Sequence, residues 1–555
     1  MSNIINFTYY LINHRKLYSS RHLKLNSLQQ TKSFIYKSSM TFRVDLVGEI
    51  DNFGLSAIYQ FLGKGTQMLS GALFYILAAR IFNPSGLGDI ALLIAVSGLF
   101  VIIFGIGLNT AATHFISSHN DQDFLSIKKI LIKIVLLGFF FSLIGLILVF
   151  LLSKSISIVF FHSEVYVIYI QLLSVVIMEN VMFALLNGAI LGLQRFKASA
   201  FISIVIWGIY YFGSLFLAFI FVNLYAIIIG WIIGMSLGIV MDSLYIIFIP
   251  LKNYSKNENK HIRSKKILAY SLPVFLSTLI TYGATYVDRF IVAYLLNIKF
   301  LGIYNFALLI FTAMSFLYIP INNLTLPKFS QFFGHGEIQK IRKGVRYSSL
   351  VLTYFYVPIS LGIATLAPTI LYFIAGYQYL GATDSLIIVM ILPAIFVSQT
   401  VLIQALASIR KTRILMYSSM CSLFGNLALS ILLVPLFGLE GAALGFSSVY
   451  IISFIIMFIY ARKEDIVDFD TCAIGKIWLG SVIMSFFIFL TDFELFKFSR
   501  FSIYSLLFLT LEGFFIYIFV IRILKVFSNL EKEIILSMFP KRWSKLKTLL
   551  SWIIN

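Results

Sequence analysis

Charge is scarce in this sequence. Asp, Glu, Lys and Arg together make up 12% of the chain, about half the share in a soluble globular protein. Acidic residues are scarcer still, 23 against 43 Lys and Arg. Cysteine is nearly absent. Cys421 and Cys472 both lie at or near apolar segments and supply neither a disulfide framework nor the ligand spacing of a metal site. These shortages exclude a disulfide-stapled secreted domain and leave no room for a large soluble one. What is abundant is apolar: 60% of residues are hydrophobic. The chain therefore reads as an all-α polytopic membrane protein, because in lipid every backbone polar group must be satisfied within the spanning element.

Apolar runs long enough to cross a bilayer, about 20 residues, fall at 53–80, 86–112, 128–153, 166–193, 199–222 and 224–250. After a polar break they resume at 268–297, 300–325, 346–366, 379–408, 412–436 and 438–461, and two more follow at 474–491 and 501–524. That makes fourteen segments. The 379–408 run is the least regular, since Pro368 and Pro393 can break or kink it.

The net charge of +20 is explained by topology. If the N-terminus is cytoplasmic and the spans alternate, 36 Lys and Arg fall on the inside and 5 on the outside, with Lys64 and Arg289 inside spans. One miscounted span would blur this asymmetry, so an even number with both termini cytoplasmic is expected. The basic surface is then orientation plus attraction to anionic membrane lipid, and no nucleic-acid site is expected.

Two stretches repeat. Asn83-Pro-Ser-Gly-Leu-Gly-Asp-Ile90 joins spans one and two; Asn297-Ile-Lys-Phe-Leu-Gly-Ile-Tyr304 joins spans seven and eight. At an offset of 214, Asn83/Asn297, Leu87/Leu301 and Gly88/Gly302 coincide. Gly192-Leu-Gln-Arg-Phe-Lys197 after span four matches Ala407-Ser-Ile-Arg-Lys-Thr412 after span ten at an offset of 215. The organisation expected is an N-lobe of spans one to six (53–250), a cytoplasmic linker (251–267), a C-lobe of spans seven to twelve (268–461), and spans thirteen and fourteen (462–525) outside the repeat. Parallel repeats of this kind are a transporter architecture, with the substrate path between the halves.

Residues 1–52 are a polar, basic tail. They read either as a cytoplasmic amphipathic arm or as an over-extended start with Met40 as the true initiator. The tail at 526–555 sets Ile534, Ile535, Met538, Phe539, Trp543, Leu546, Leu549 and Leu550 against several Lys and Arg. It reads as an amphipathic segment on the inner membrane surface, with a partner-binding helix as the other reading.

Polar side chains inside spans are expensive and mark function by default. Lys64 lies roughly 14 Å along a helix counted from Leu55, at ~1.5 Å per residue. Gln60, Lys64 and Gln67 share one face of the first span, and Thr278, Thr281, Thr285 and Asp288 share one face of the seventh. Subtracting 214 places Thr278 on Lys64 and Thr281 on Gln67, so both stripes are expected to line one central cavity. Arg289 follows Asp288, about 100° round the helix. Glu179 stands mid-span four, either facing the cavity or pairing with Lys64 for structure. Asn180, Asn187, Gln399, Gln404 and Asn426 read as interhelical bonding groups. Asp242 falls at the inner end of span six, and Arg80 and Lys299 are expected to snorkel outward.

Leu87-Gly-Asp-Ile90, Leu301-Gly-Ile-Tyr304 and Val287-Asp-Arg-Phe290 resemble the turns after the first helix of each lobe in the polysaccharide flippases. Leu433-Val-Pro-Leu-Phe-Gly-Leu-Glu-Gly-Ala-Ala443 resembles that family's hairpin between spans eleven and twelve, and Ala405-Leu-Ala-Ser-Ile-Arg-Lys-Thr412 the loop before it. The resemblance covers about 50–525. It implies membership of the multidrug/oligosaccharidyl-lipid/polysaccharide exporter superfamily and alternating access between two lobes. The implied cargo is a polyprenyl- or dolichyl-(pyro)phosphate-linked oligosaccharide, carried across the plasma membrane for surface polysaccharide or glycoprotein synthesis. It also implies glycan polymerases or glycosyltransferases as partners. The implied site is Lys64 first and Arg289 second as contacts to the headgroup phosphate. No catalytic residues, metal or cofactor are expected, and coupling to Na⁺ or H⁺ stays open. The chain departs from the family pattern in having few cavity arginines. Three other readings stand beside this one. A cation-coupled multidrug antiporter tends to carry a first-span carboxylate that this chain lacks. A membrane glycosyltransferase needs carboxylates on an outer loop larger than Arg80–Ser85. A non-transporting membrane scaffold would keep the fold without the activity.

Overall fold

The computed structural model describes residue 59 and residues 62–118, 124–248, 264–494 and 502–526. The N-terminal tail, most of the linker, most of the C-terminal tail and Gln60 lie outside the described residues. The described residues from Lys64 onward form one compact unit, and every regular element described is helical.

The first group of helices is α1 (62–81), α2 (Pro84–Gly105), α3 (Leu108–Ser117), α4 (Phe124–Leu151), α5 (Ser153–Phe161), α6 (Val167–Gly192), α7 (Phe196–Gly208), α8 (Ser214–Phe221) and α9 (Leu224–Phe248). The second is α10 (Ser264–Leu295), α11 (Ile298–Ala313), α12 (Ser315–Gly334), α13 (Ile338–Thr365), α14 (Ala367–Ala375), α15 (Thr383–Ile395), α16 (Gln399–Ser408), α17 (Thr412–Phe437) and α18 (Leu439–Lys463). Two more, α19 (Thr471–Glu494) and α20 (Ile503–Leu524), complete the bundle.

Twelve described segments are long and apolar enough to span a membrane, and the bent pair α11–α12 makes a thirteenth. The described part of the first predicted span, 62–80, falls on α1, which is not among these segments.

Three segments are less regular than their hydropathy suggests. The eighth bends by 41° between α11 and α12, about a turn and a half before Pro320, whose ring cannot sit against the carbonyl four residues back. The 379–408 run is two helices: α15 ends just past Pro393, and a tight turn at 396–398 precedes α16. The fifth contains one π-helical turn, Ile209–Gly213, between α7 and α8.

Within the first group α6 is central and packs on α3, α4 and α9. Within the second, α17 and α18 form the tightest pair, with α10 against α17 and α15 against α18. Glycine permits the α17–α18 approach, because a Cβ on Gly441 would collide with the Leu433 carbonyl and one on Gly445 with Ser430. That explains the Gly spacing of the Leu433–Ala443 stretch. α19 packs on α13, and α20 on α19. Leu507, Leu511, Phe515 and Phe519 on α20 remain exposed, as a lipid-facing surface requires.

The two groups meet where α2 packs on α10 and α11, and α3 on α10. Equivalent caps start the equivalent helices. Asn83 accepts from the Gly86 N–H at 2.9 Å, with Pro84 at the first helical position. Asn297 accepts from the Phe300 N–H at 3.0 Å. Both are N-caps, which satisfy donors that a helix start leaves free. We refer to the Asn83/Asn297 end and to the opposite, linker end, where α9 stops and α10 starts.

Candidate functional site

α10 is 32 residues long and carries the polar stripe read from the sequence. Thr278, Thr281 and Thr285 line a cavity of about 680 Å³ together with Tyr282, Ile102 of α2 and Arg413 of α17. The cavity therefore lies between the two helix groups, and its walls are largely apolar.

The threonines face it in a defined chemical state. Thr278 donates to the Val274 carbonyl at 2.8 Å, Thr281 to Ser277 at 2.9 Å, and Thr285 to Thr281 at 3.1 Å. Each hydroxyl has thus placed its one proton on its own helix, and what it offers the cavity is acceptor capacity. Such a stripe can receive hydroxyl donors from a sugar. It offers nothing to an anion, so positive charge must come from elsewhere.

Arg413 supplies one such charge. It is exposed, lines the cavity and has no ion-pair partner among the described residues. Its neighbour Lys411 is held by Glu464 at 2.8 Å. Arg413 stands in the first turn of α17, where the helix dipole disfavours a cation and favours an anion. The sequence reading counted it as an orientation charge. Its position inside the helix start, rather than in the loop, is the signal that distinguishes it.

Arg289 of α10 lies nearer the Asn83/Asn297 end and is not among the residues lining this cavity. It is 9% exposed. Nη1 donates to the Thr285 carbonyl at 3.0 Å, and the guanidinium lies 4.1 Å from the Tyr286 ring centroid. That ring stacks on Tyr282 at 4.3 Å. Nε has no partner, and the side chain makes no ion pair among the described residues. With the neighbouring Asp288 outside ion-pair distance, a buried cation of this kind is costly.

Asp288 does not join the cavity stripe. It is fully buried and turned into the second helix group, where the Tyr304 hydroxyl donates to Oδ2 at 2.7 Å. Asn426 Nδ2 lies 3.5 Å from Oδ1 and donates to the Ala284 carbonyl at 2.9 Å. Ser430 in turn donates to Asn426 Oδ1 at 2.9 Å. The physical reason lies in its partners rather than its angle, since it sits only about 20° round the helix from Thr281: Tyr304 and Asn426 hold the carboxylate in the second helix group.

Glu179 lies within the first helix group, between α6 and α9. Ser236 donates to its Oε1 at 2.5 Å, while Oε2 is buried without a partner; it does not pair with Lys64. Around it gathers an aromatic cluster that the sequence did not announce. Tyr211 in the π turn packs on Trp207 and Phe74, and Tyr210 stacks on Trp231 at 5.6 Å. Lys64 is exposed and Gln67 half-buried on α1. Neither is among the lining residues of the cavity above. Asn187 accepts from Ser199 at 3.0 Å, in the interhelical role expected of it. Arg80 does not simply snorkel; it donates to the Phe373 carbonyl at 2.6 Å.

Residues 76–384, more than half of the sequence, match the family model described as polysaccharide biosynthesis protein. The chain belongs to this family. Solved structures similar to it share its fold at low identity. The lipid II flippase MurJ, in an inward closed conformation, is 19% identical with a TM-score of 0.66, over 84% of this chain and 98% of that one. An inward-facing multidrug resistance MATE family transporter of the MOP superfamily is 16% identical with a TM-score of 0.61, over 72% and 94%. A MOP superfamily transporter from Pyrococcus furiosus is 15% identical with a TM-score of 0.54, over 73% and 94%. A search of curated proteins finds no match. The chain thus shares with these solved structures its all-helical fold.

Proposed function

We propose that this member of the polysaccharide biosynthesis family is a flippase for lipid-linked oligosaccharides, working at the plasma membrane by alternating access between its two helix groups. The observation that carries the reading is the cavity itself. It pairs a wall of hydroxyl acceptors on Thr278, Thr281 and Thr285 with the unpaired guanidinium of Arg413. The unpaired Arg289 lies further along the same helix. Sugar hydroxyls match the first feature and a polyprenyl- or dolichyl-(pyro)phosphate headgroup matches the second. Lys64 on α1 is a third cation available to the headgroup, and Gln67 a polar neighbour. The basic linker end is cytoplasmic on this reading, so both termini lie inside, and the 53–250 and 268–461 groups are the two moving lobes.

A cation antiporter of the same fold would need acidic groups on the path. Here Asp288 is buried against Tyr304, and Glu179, which Ser236 contacts, is not among the lining residues, whereas the groups facing the cavity are neutral or cationic. Membrane lipid is the medium, and glycan polymerases or glycosyltransferases are the partners such a carrier would serve.

The test is binding in nanodiscs. A polyprenyl-pyrophosphate oligosaccharide should bind the wild type and lose at least about tenfold in affinity, 1.4 kcal/mol, with Arg413→Ala. The uncharged polyprenol and an organic cation should bind no better than background. Preference for the cation would replace this reading with the antiporter.

A further inference from the structure

The Asn83/Asn297 end is closed by a contact that the repeat predicts to be symmetric. α2 and α11 cross there with almost no side chain between them. A Cβ on Gly88 would land on the carbonyl oxygen of Ile298, and a Cβ on Gly302 on the carbonyl oxygen of Pro84. Pro84 and Ile298 are separated by 214 residues, as are Gly88 and Gly302. The crossing is therefore self-complementary: each glycine receives the first-turn carbonyl of the equivalent helix. Leu87 and Leu301, the other repeat pair, are fully buried beside it.

The two helix starts are held in shape for this contact. Each is fixed by its asparagine cap. Beside the crossing, Arg80 at the end of α1 donates to the Phe373 carbonyl at 2.6 Å. That carbonyl belongs to the last turn of α14, where unsatisfied carbonyls and the helix dipole both attract a cation. Further in, the Tyr282 hydroxyl donates to the Ala95 carbonyl at 2.7 Å, while the same tyrosine lines the cavity. The crossing thus lies farther toward the Asn83/Asn297 end than the residues that line the cavity.

We infer that the Gly88–Gly302 crossing, with the Arg80–Phe373 contact beside it, is the latch that keeps the Asn83/Asn297 end shut while the cavity is open elsewhere. Its chemistry suits a contact that must be remade in every cycle. Backbone-to-glycine contacts are close and specific in shape but individually weak, and Arg80 adds a single hydrogen bond. Nothing in the latch needs an ion pair to be desolvated again on closing. The repeat explains why both glycines are required, since either Cβ would hold the two helix starts apart.

The test is a distance between the lobes and needs no substrate. In a Cys421→Ser, Cys472→Ser background, spin labels on Ser85→Cys and Lys299→Cys report on this end. Both positions are exposed and related by the same offset of 214. In nanodiscs the parent should give a short distance. Gly88→Ala and Gly302→Ala should each move the short-to-long ratio about tenfold, 1.4 kcal/mol, because the added Cβ overpacks the crossing. Arg80→Ala, which adds no atom and so keeps the fold, should lengthen the distance in the same direction by a smaller step. It carries the test if the glycine variants are not recovered folded. Unchanged distances in folded Gly88→Ala and Gly302→Ala, or in Arg80→Ala alone, overturn the latch.

Discussion

Replacing Arg289 by Met separates a cargo contact from a structural arginine. The substitution removes a charged hydrogen bond to the Thr285 carbonyl and a cation–π contact with Tyr286. Those losses amount to about 1.5–3 kcal/mol and about 2 kcal/mol. It also removes an unpaired buried charge, whose desolvation costs several kcal/mol. The two sides nearly cancel, so thermal stability in detergent should change little. Ligand response should change fully. At a concentration one hundred times its Kd, a pyrophosphate-headed lipid stabilises its receptor by about 2.7 kcal/mol. For a chain of this length the entropy scale of globular proteins converts that to roughly 2 to 3 °C. The wild type should show that shift and Arg289→Met should not, while Arg289→Lys should keep part of it. A strong loss of intrinsic stability in Arg289→Met, with the ligand shift intact, would refute the reasoning and make Arg289 a packing residue.

Three further outcomes follow from the same geometry. Tyr304→Phe removes the hydroxyl that serves Asp288 and should destabilise by about 1–3 kcal/mol, read by chemical denaturation; an unchanged midpoint contradicts the buried network. Gly441→Ala should lower the melting temperature sharply, because its Cβ would meet the Leu433 carbonyl, whereas Gly475→Ala, with open space around it, should be neutral or stabilising by up to about 1 kcal/mol. Lys64→Ala should slow transport and Lys64→Arg partly preserve it, at equal folded protein levels; full activity in Lys64→Ala would make this lysine interfacial.

The spans were legible because a helix that crosses a membrane needs about 20 apolar residues in a row, and the long apolar helices fall on those runs. The repeat was legible because Asn83 and Asn297 cap equivalent helices and Gly88 and Gly302 meet at one crossing, so the same residue types are needed at matched positions. The threonine stripe was legible from its 3.6-residue period. What the sequence hid depends on partners far along the chain. Asp288 looks like a member of the stripe until Tyr304 and Asn426 draw it into the second helix group. Glu179 looks like a partner for Lys64, but Ser236 on another helix holds it. Arg413 is indistinguishable from its basic neighbours until Lys411 is seen to be occupied by Glu464. The Tyr210–Tyr211 cluster leaves no trace in an all-apolar run, and the break at 396–398 appears only as Pro393 in a segment long enough to span.

The measurement that bears most directly on the flippase reading is translocation in proteoliposomes. A fluorescent polyprenyl-pyrophosphate oligosaccharide would be placed in both leaflets, and loss of outer-leaflet signal to an impermeant quencher followed with and without the protein. Wild type should make the protected pool accessible, and Arg413→Ala should slow this by about tenfold with folding unchanged. A wild type that leaves the protected pool untouched while exchanging organic cations for Na⁺ or H⁺ would contradict it.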